Sequence, residues 1–263
     1  MKIVTEQIDV IEHEKAAFRK VAESFWAKKG DELTVMGDFL GRIPAIKLLN
    51  PQPGEKILDA GCGNGFIARR LVQRGAHVWG CDRDELMLSR AIETENSQPL
   101  GIQYGLADIT QLPYADNSFQ AIACIAVLIM STPSECRQFL AEAWRKLAIG
   151  GRLVVSIMHP YLYQANSPNR KGKSSWGHYK PLDNLPMNQS QRFREVYRNN
   201  KGEISDCPVW YHPEDFIWQS ILEAGFIPIH SQSKFVTQEA LNGCRATGPV
   251  GYPAFWQVLA KKY

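Results

Sequence analysis

No run of this chain approaches the ~18 consecutive apolar residues that a membrane span needs, and nothing in it reads as a low-complexity linker or an internal repeat. Its charge is nearly balanced: 30 Lys and Arg against 27 Asp and Glu leave a formal +3 over 263 residues. There is no long basic stripe, so neither nucleic acid nor an anionic membrane surface is an expected partner. The densest basic patch, Asn169-Arg-Lys-Gly-Lys173, reads as a solvated loop. The six cysteines (Cys62, Cys81, Cys124, Cys136, Cys207 and Cys244) are scattered with no Cys-x-x-Cys pair, and the six histidines form no His-Glu-x-x-His and no i, i+4 pair. A metal site is therefore not expected. Gly-x-Ser-x-Gly is also absent, which removes the serine-hydrolase elbow. With no secretory segment recognisable, the thiols are expected to be reduced in a cytoplasmic protein.

What is present is 44% hydrophobic residues, enough for a full core, in a length that suits one α/β domain with an elaboration. The chain is organised around Lys56 to Gly65, Lys-Ile-Leu-Asp-Ala-Gly-Cys-Gly-Asn-Gly. A short apolar strand runs into a loop with glycine at every second position, where a Cβ would block a tight turn or the approach of a ligand. The following segment, Phe66 to Arg74, places Ile67, Ala68, Leu71 and Val72 on one helical face and ends at Gly75. Strand, glycine loop and helix form the opening unit of a nucleotide-binding sheet. A second apolar run, Ala76 to Cys81, ends in Asp82, about 20 residues beyond the first glycine, where an acid accepts ribose hydroxyls. A dinucleotide fingerprint requires Gly-x-Gly-x-x-Gly; here the third glycine comes one residue early and Phe stands at position 66, so NAD is the alternative ligand.

Further on, Leu106-Ala-Asp-Ile-Thr-Gln-Leu-Pro-Tyr-Ala-Asp-Asn-Ser-Phe-Gln-Ala-Ile122 places Asp108 after a third strand and leads through a Pro-containing turn into a fourth. Together these stretches resemble the class I S-adenosylmethionine-dependent methyltransferases, in particular the small-molecule, type 11/12-like branch, over roughly Lys56 to Met158. The resemblance implies a doubly wound, mostly parallel α/β sheet with an antiparallel last strand, and S-adenosylmethionine as cofactor. It assigns the ribose to Asp82, the adenine amino group to Asp108 and an adenine-pairing backbone to Ile109. It also brings Asp59, Gly61, Gly63, Asn64, Arg83 and Ile125 into the cofactor site. Met87 either touches the adenine or fills a gap between helix and sheet.

Four parts are expected in a single domain: a helical N-terminal cap over 1–50, the cofactor core over 51–158, a lid over 159–209, and the end of the sheet over 210–263. The cap is read from Phe18, Val21, Ala22, Phe25 and Trp26 at helical spacing, with a second short helix over Gly41 to Asn50. Asp84 to Ile92 forms the next helix. Phe119 to Leu128 is nearly all apolar and reads as a buried fourth strand, with Met130 just beyond its end facing the site. An Asn/Asp-Pro-Pro-aromatic signature is absent there, which disfavours nucleic-acid amino groups as acceptors. Thr132, Pro133 and Glu135 predict a capping box with proline at the first helical position, Gly150 and Gly151 end that helix, and Arg152 to Met158 is the fifth strand. Pro213 opens a last helix with Glu214 and Asp215 in its first turn; Phe226 to His230 is the sixth strand and Ala254 to Ala260 an edge strand.

Residues 159–209 show no clean periodicity and are too long for an ordinary connection. Aromatics crowd there, and Tyr161, Trp176, Tyr179, Trp210 and Tyr211, with Met130, are candidates to hold an aromatic or largely apolar methyl acceptor. His159, at the ligand end of the fifth strand, is the candidate catalytic residue; the other reading is that it only closes the turn before Pro160. The expected activity is methyl transfer to a nitrogen or oxygen of a small molecule, with natural-product biosynthesis as its setting. Rivals are a tRNA or protein methyltransferase, an NAD-dependent reductase and a noncatalytic adenosine-binding module.

Overall fold

The computed structural model describes residues 37–159, 178–181, 185–198, 204–237, 251 and 253–263. The predicted helix around Phe18 to Trp26, and Tyr161 and Trp176, lie outside the described residues. A π-helical turn, Gly37–Arg42, runs directly into α1, Ile43–Leu49.

Seven strands form one sheet: β1 (Lys56–Ala60), β2 (His77–Asp82), β3 (Gln103–Leu106), β4 (Phe119–Ile125), β5 (Leu147–Met158), β9 (Ile227–Phe235) and β10 (Pro253–Lys261), in the order β3-β2-β1-β4-β5-β10-β9. β1 lies inside the sheet, parallel to β2 on one side and β4 on the other, with Leu58 opposite both Trp79 and Ile122. After β1 the chain winds outward through α2 (Phe66–Val72), β2, α3 (Glu85–Ser97) and β3, then returns to the other side of β1 as β4. That reversal opens a crevice at the carboxyl ends of β1 and β4, the place where doubly wound sheets bind ligands.

Both faces of the sheet are covered, which is why β1 and β4 carry apolar residues without alternation. One face packs Ile46, Leu49, Ile67 and Leu71 from α1 and α2 onto Ile57, Ala121 and Val154. The other packs Phe139 and Leu140 of α4 (Pro133–Lys146), with Ile217 and Ile221 of α5 (Glu214–Glu223), onto Leu58, Ile122 and Val155. The capping box of α4 forms as predicted: Thr132 accepts from the Glu135 amide, Glu135 accepts from the Thr132 amide, and Pro133 occupies the first turn. Asp84 is the N-cap of α3, accepting from the Leu86 and Met87 amides, so the helix starts one residue later than expected.

Three expectations are corrected. Gly150 and Gly151 do not end α4, which stops at Lys146; β5 starts at Leu147, and residues 148–151 bulge out between the pairs Phe119–Leu147 and Ala121–Arg152. β10 is not an edge strand. It runs antiparallel between β5 and β9, with Ala254, Val258 and Ala260 fully buried, while the longer-than-expected β9, with its polar Ile-Pro-Ile-His-Ser-Gln-Ser-Lys-Phe, forms the edge. Finally, part of 159–209 is regular: β6 (His178–Pro181), β7 (Gln191–Arg198) and β8 (Ile204–Tyr211) make a separate antiparallel sheet. Its buried face alternates as a strand should, with Gln191 and Phe193 opposite Tyr211 and Val209. Arg192 and Arg194, on either side of Phe193, are the outward half of that alternation, and the polar Gln191 on its buried face hides the period in the sequence.

Candidate active site

The crevice is lined first by backbone. Gly61, Gly63 and Gly65 have φ of 77°, 54° and 83°, the left-handed region that disfavours side chains. A Cβ on Gly61 would stand 2.5 Å from Val127 Cγ2, and one on Gly65 would collide with Tyr104 Oη. The loop is therefore pressed onto the end of β4 and onto β3 at once. Opposite it, Ala126 has a φ of 61°, strained for a residue with a Cβ. Its amide donates to the Ser156 carbonyl, so the turn leaving β4 is held to β5.

Asp82, at the end of β2, accepts from the Gly63 amide at 2.8 Å through Oδ2 and from the Asp84 amide at 2.9 Å through Oδ1. Burial pushes its carboxyl up, against the pull of those two amides. Each oxygen has a second lone pair for a hydroxyl donor. Asp59, one strand position before Ala60, is fully buried, and its Oδ2 has no hydrogen-bond partner among the described residues. Burial pushes its carboxyl up to about 7, the Asp82 charge adds to this, and the Ala68 amide and the Arg42 cation oppose it. The Met87 side chain is buried and its methyl lies 3.5 Å from where a Gly63 Cβ would be, so it packs under the loop. Asn64 is half-buried in the turn, and Ile125 is buried at the end of β4.

Asp108 follows β3. Its Oδ1 accepts from the amide and the hydroxyl of Thr110, at 2.8 and 2.7 Å, while Oδ2 faces Arg83 at 3.9 Å. The same guanidinium donates to the Met130 carbonyl at 3.1 Å and lies 3.6 Å from Glu135. Arg83 thus ties the ends of β2 and β3 to the start of α4. Ile109 is buried in the core beneath.

The other wall is built by side chains that are far apart in sequence. His212, just after β8, is buried; its Nε2 lies 2.9 Å from the Ser131 carbonyl and 3.2 Å from that of Leu128, and its Nδ1 lies 3.0 Å from Ser190 Oγ. Two carbonyls fix the proton on Nε2, so Nδ1 accepts from the serine hydroxyl. Burial pushes this imidazole down to about 4, against those carbonyls. Trp210 and Phe216 both stack against it. His212 thus joins the small sheet to the 3-10 turn Leu128–Met130 that follows β4.

His159 ends β5. Its amide donates to the Ala254 carbonyl, and its Nε2 lies 2.9 Å from Glu214 Oε1 at the start of α5. Sequence reasoning found no partner for this ring, because Glu214 reads only as a helix-start acid and no spacing links residues 159 and 214. Trp210 is half-buried beside His212. Tyr211, expected to contact an acceptor, is instead enclosed: it packs edge-on against Phe193, and its hydroxyl donates to the Met187 carbonyl at 2.7 Å. It secures the small sheet. The Tyr179 side chain is outside the described residues.

Residues 57–151 match a family described as a methyltransferase domain. A demethylmenaquinone methyltransferase of Beutenbergia cavernae is 30% identical over 246 residues, covering 90% of this chain and 98% of that protein. One of Tropheryma whipplei is 33% identical over 165 residues, covering 60% of this chain and 67% of the other. Among solved structures, the 1,6-didemethyltoxoflavin-N1-methyltransferase of Burkholderia thailandensis, with 1,6-didemethyltoxoflavin and S-adenosylhomocysteine bound, superposes with a TM-score of 0.58 at 15% identity, covering 98% of this chain and 89% of that one.

Proposed function

Because this chain belongs to the class I S-adenosylmethionine-dependent methyltransferases, we propose that it methylates a nitrogen or oxygen of an aromatic or largely apolar small molecule held between the carboxyl ends of β4 and β5 and the β6–β8 sheet. The observation that carries this reading is the His212 joint. It fastens a second sheet to the turn after β4, at the ligand end of the crevice. The relatives named for demethylmenaquinone and the neighbour bound to 1,6-didemethyltoxoflavin support a small-molecule acceptor.

The residues present fit the cofactor. The glycine loop leaves room that a Cβ would fill, and a buried Asp59 oxygen lies beside it without a partner among the described residues. When bound, S-adenosylmethionine supplies a methyl group on a positively charged sulfur that is already an excellent leaving group. The protein therefore contributes mainly geometry, which is worth ~7 to 11 kcal/mol of a barrier. In this reading Asp82, pre-oriented by two amides, accepts the ribose hydroxyls, and Asp108 Oδ2 accepts from the adenine amino group beside the Ile109 backbone. Gly61, Gly63 and Asn64 bring their backbone to the methionine part. The β6–β8 sheet covers the acceptor and excludes water. His159 stands at the end of β5 to bind the acceptor or take its proton.

The test is to incubate the purified protein with methyl-labelled S-adenosylmethionine and a host extract, then separate the products by mass. Label in a small molecule is the expected result. Label in RNA or protein would replace this reading with a macromolecular acceptor.

A further inference from the structure

Resting on the cofactor of that reading and not on its acceptor, we propose that Tyr104 is a positioning residue for the glycine loop, acting on Asp59 through one buried water molecule that the Tyr104 hydroxyl and Asp59 Oδ2 share. The carrying observation is a row across three strands. Asp59 of β1 pairs with Gly80 of β2, and Gly80 pairs with Tyr104 of β3. Neighbours in register point to the same face of a sheet, and the residue between these two has no side chain. The Tyr104 ring therefore lies over Gly80, where an added Cβ would stand 2.7 Å from Tyr104 Cε1. Its hydroxyl reaches Gly65, the N-cap of α2, where an added Cβ would collide with it. An N-cap side chain ordinarily bonds an amide of the first turn. Gly65 has none to offer, and the Ala68 amide of that turn is bonded by Asp59 instead. Tyr104 and Asp59 thus converge on the space that one capping side chain ordinarily spans.

At that point two polar atoms are buried with no hydrogen-bond partner among the described residues, Tyr104 Oη and Asp59 Oδ2. Packing alone does not call for the hydroxyl, since a phenyl ring would fill the space between Gly65 and Gly80 and bury no polar atom. Buried polar groups that converge in this way are satisfied by ordered water. A water here accepts from the hydroxyl and donates to the carboxylate, because an ionised carboxylate only accepts. Donation of this kind favours the ionised form of Asp59. Ionised, Asp59 holds the Ala68 amide more strongly, and it is a negative charge beside a loop that, in that reading, receives the ammonium-bearing methionine end of the cofactor. The charged and titratable groups around the pair are Arg42 of the π-helical turn, Cys62 of the loop, Cys81 and Asp82 of β2, Cys124 of β4, Arg69 of α2 and Glu95 of α3. Asp82 opposes ionisation of Asp59 and Arg42 favours it. All of them are shared by the parent and a Tyr104 variant, so the difference between the two chains reads the hydroxyl.

The experiment uses Tyr104→Phe, which keeps the ring and removes only the hydroxyl. In the cofactor-free protein, carboxyl-carbon NMR should show Asp59 titrating at higher pH in Tyr104→Phe than in the parent. By calorimetry, S-adenosylhomocysteine should bind Tyr104→Phe more weakly by on the order of 3 to 10-fold at pH ~6, with the ratio to the parent approaching one at pH ~9. In an Asp59→Asn background, removing the hydroxyl should leave that ratio independent of pH. A crystal structure of the parent should show one ordered water within hydrogen-bond distance of both Tyr104 Oη and Asp59 Oδ2. A loss of affinity by the same factor at every pH would make Tyr104 a packing residue and overturn the positioning role, as would an unmoved Asp59 titration. A crystal structure without that water overturns the bridge. A parent that binds no S-adenosylhomocysteine would remove the cofactor reading and the positioning role together, and the Asp59 titration, which needs no cofactor, would still decide whether the two side chains are linked.

Discussion

The two walls of the crevice are made by different means. On the side of the glycine loop the groups come from short, contiguous stretches, and backbone shapes much of the wall: three glycines in left-handed conformations and two amides that hold Asp82. On the side of the small sheet the groups are side chains from distant parts of the chain, with His212 meeting Ser131 across 81 positions and His159 meeting Glu214. A wall built from backbone tolerates little change in the residues that shape it. A wall built from side-chain pairs can be altered without disturbing the first, which suits a protein with a fixed cofactor and an acceptor of its own.

The sharpest way to break this contrast is at Gly61. Gly61→Ala combines backbone strain of ~1 to 3 kcal/mol with overpacking of similar size against Val127, and S-adenosylhomocysteine binding by calorimetry should fall below detection. Val127→Ala in the same chain should restore part of it. Tight binding by Gly61→Ala alone would show that the loop is not pressed as described.

Next in size is an opposition between one buried group in each wall. Asp59, raised to about 7 when folded, keeps a proton that the unfolded chain releases near pH 4, so its contribution to stability is lost as pH rises from about 4 to about 7. His212, lowered to about 4 when folded, stays neutral where the unfolded chain takes a proton below about 6.5. Its contribution is therefore lost as pH falls from about 6.5 to about 4. Each is worth on the order of 3 kcal/mol, and in the parent they offset one another. Urea unfolding across this range should show stability rising with pH more steeply in Asp59→Asn than in the parent, and less steeply in His212→Gln. Profiles parallel to the parent's would remove both groups from the account.

Smaller again is Asp82→Ala, which should weaken S-adenosylhomocysteine binding by ~1 to 3 kcal/mol, the cost of losing one partner of a buried hydrogen-bonded group. An unchanged affinity in a folded variant would take the ribose away from Asp82. The smallest effect belongs to Arg83→Gln. Its ion pairs with Asp108 and Glu135 are partly exposed, so thermal unfolding should shift by the equivalent of less than ~1 kcal/mol.

The glycine-loop wall was largely legible in the sequence as local structure because its determinants are local. Glycine spacing, the acid after each strand and the Thr132–Glu135 capping box all act within a few residues, where steric limits and short hydrogen bonds apply whatever the rest of the chain does. The order of the last strands was readable in principle: Ala254 to Ala260 lacks the polar alternation of an edge, while β9 has it.

By itself, then, the sequence determined the strand–loop–helix unit, the acids beside it, the fold class and the cofactor family. Only the tertiary structure decided that β10 is interior, that Tyr211 is enclosed, that His212 is a joint and that Glu214 is the partner of His159. Each of these depends on which distant segments pack together, and that is set by burial summed over the whole core rather than by any spacing along the chain.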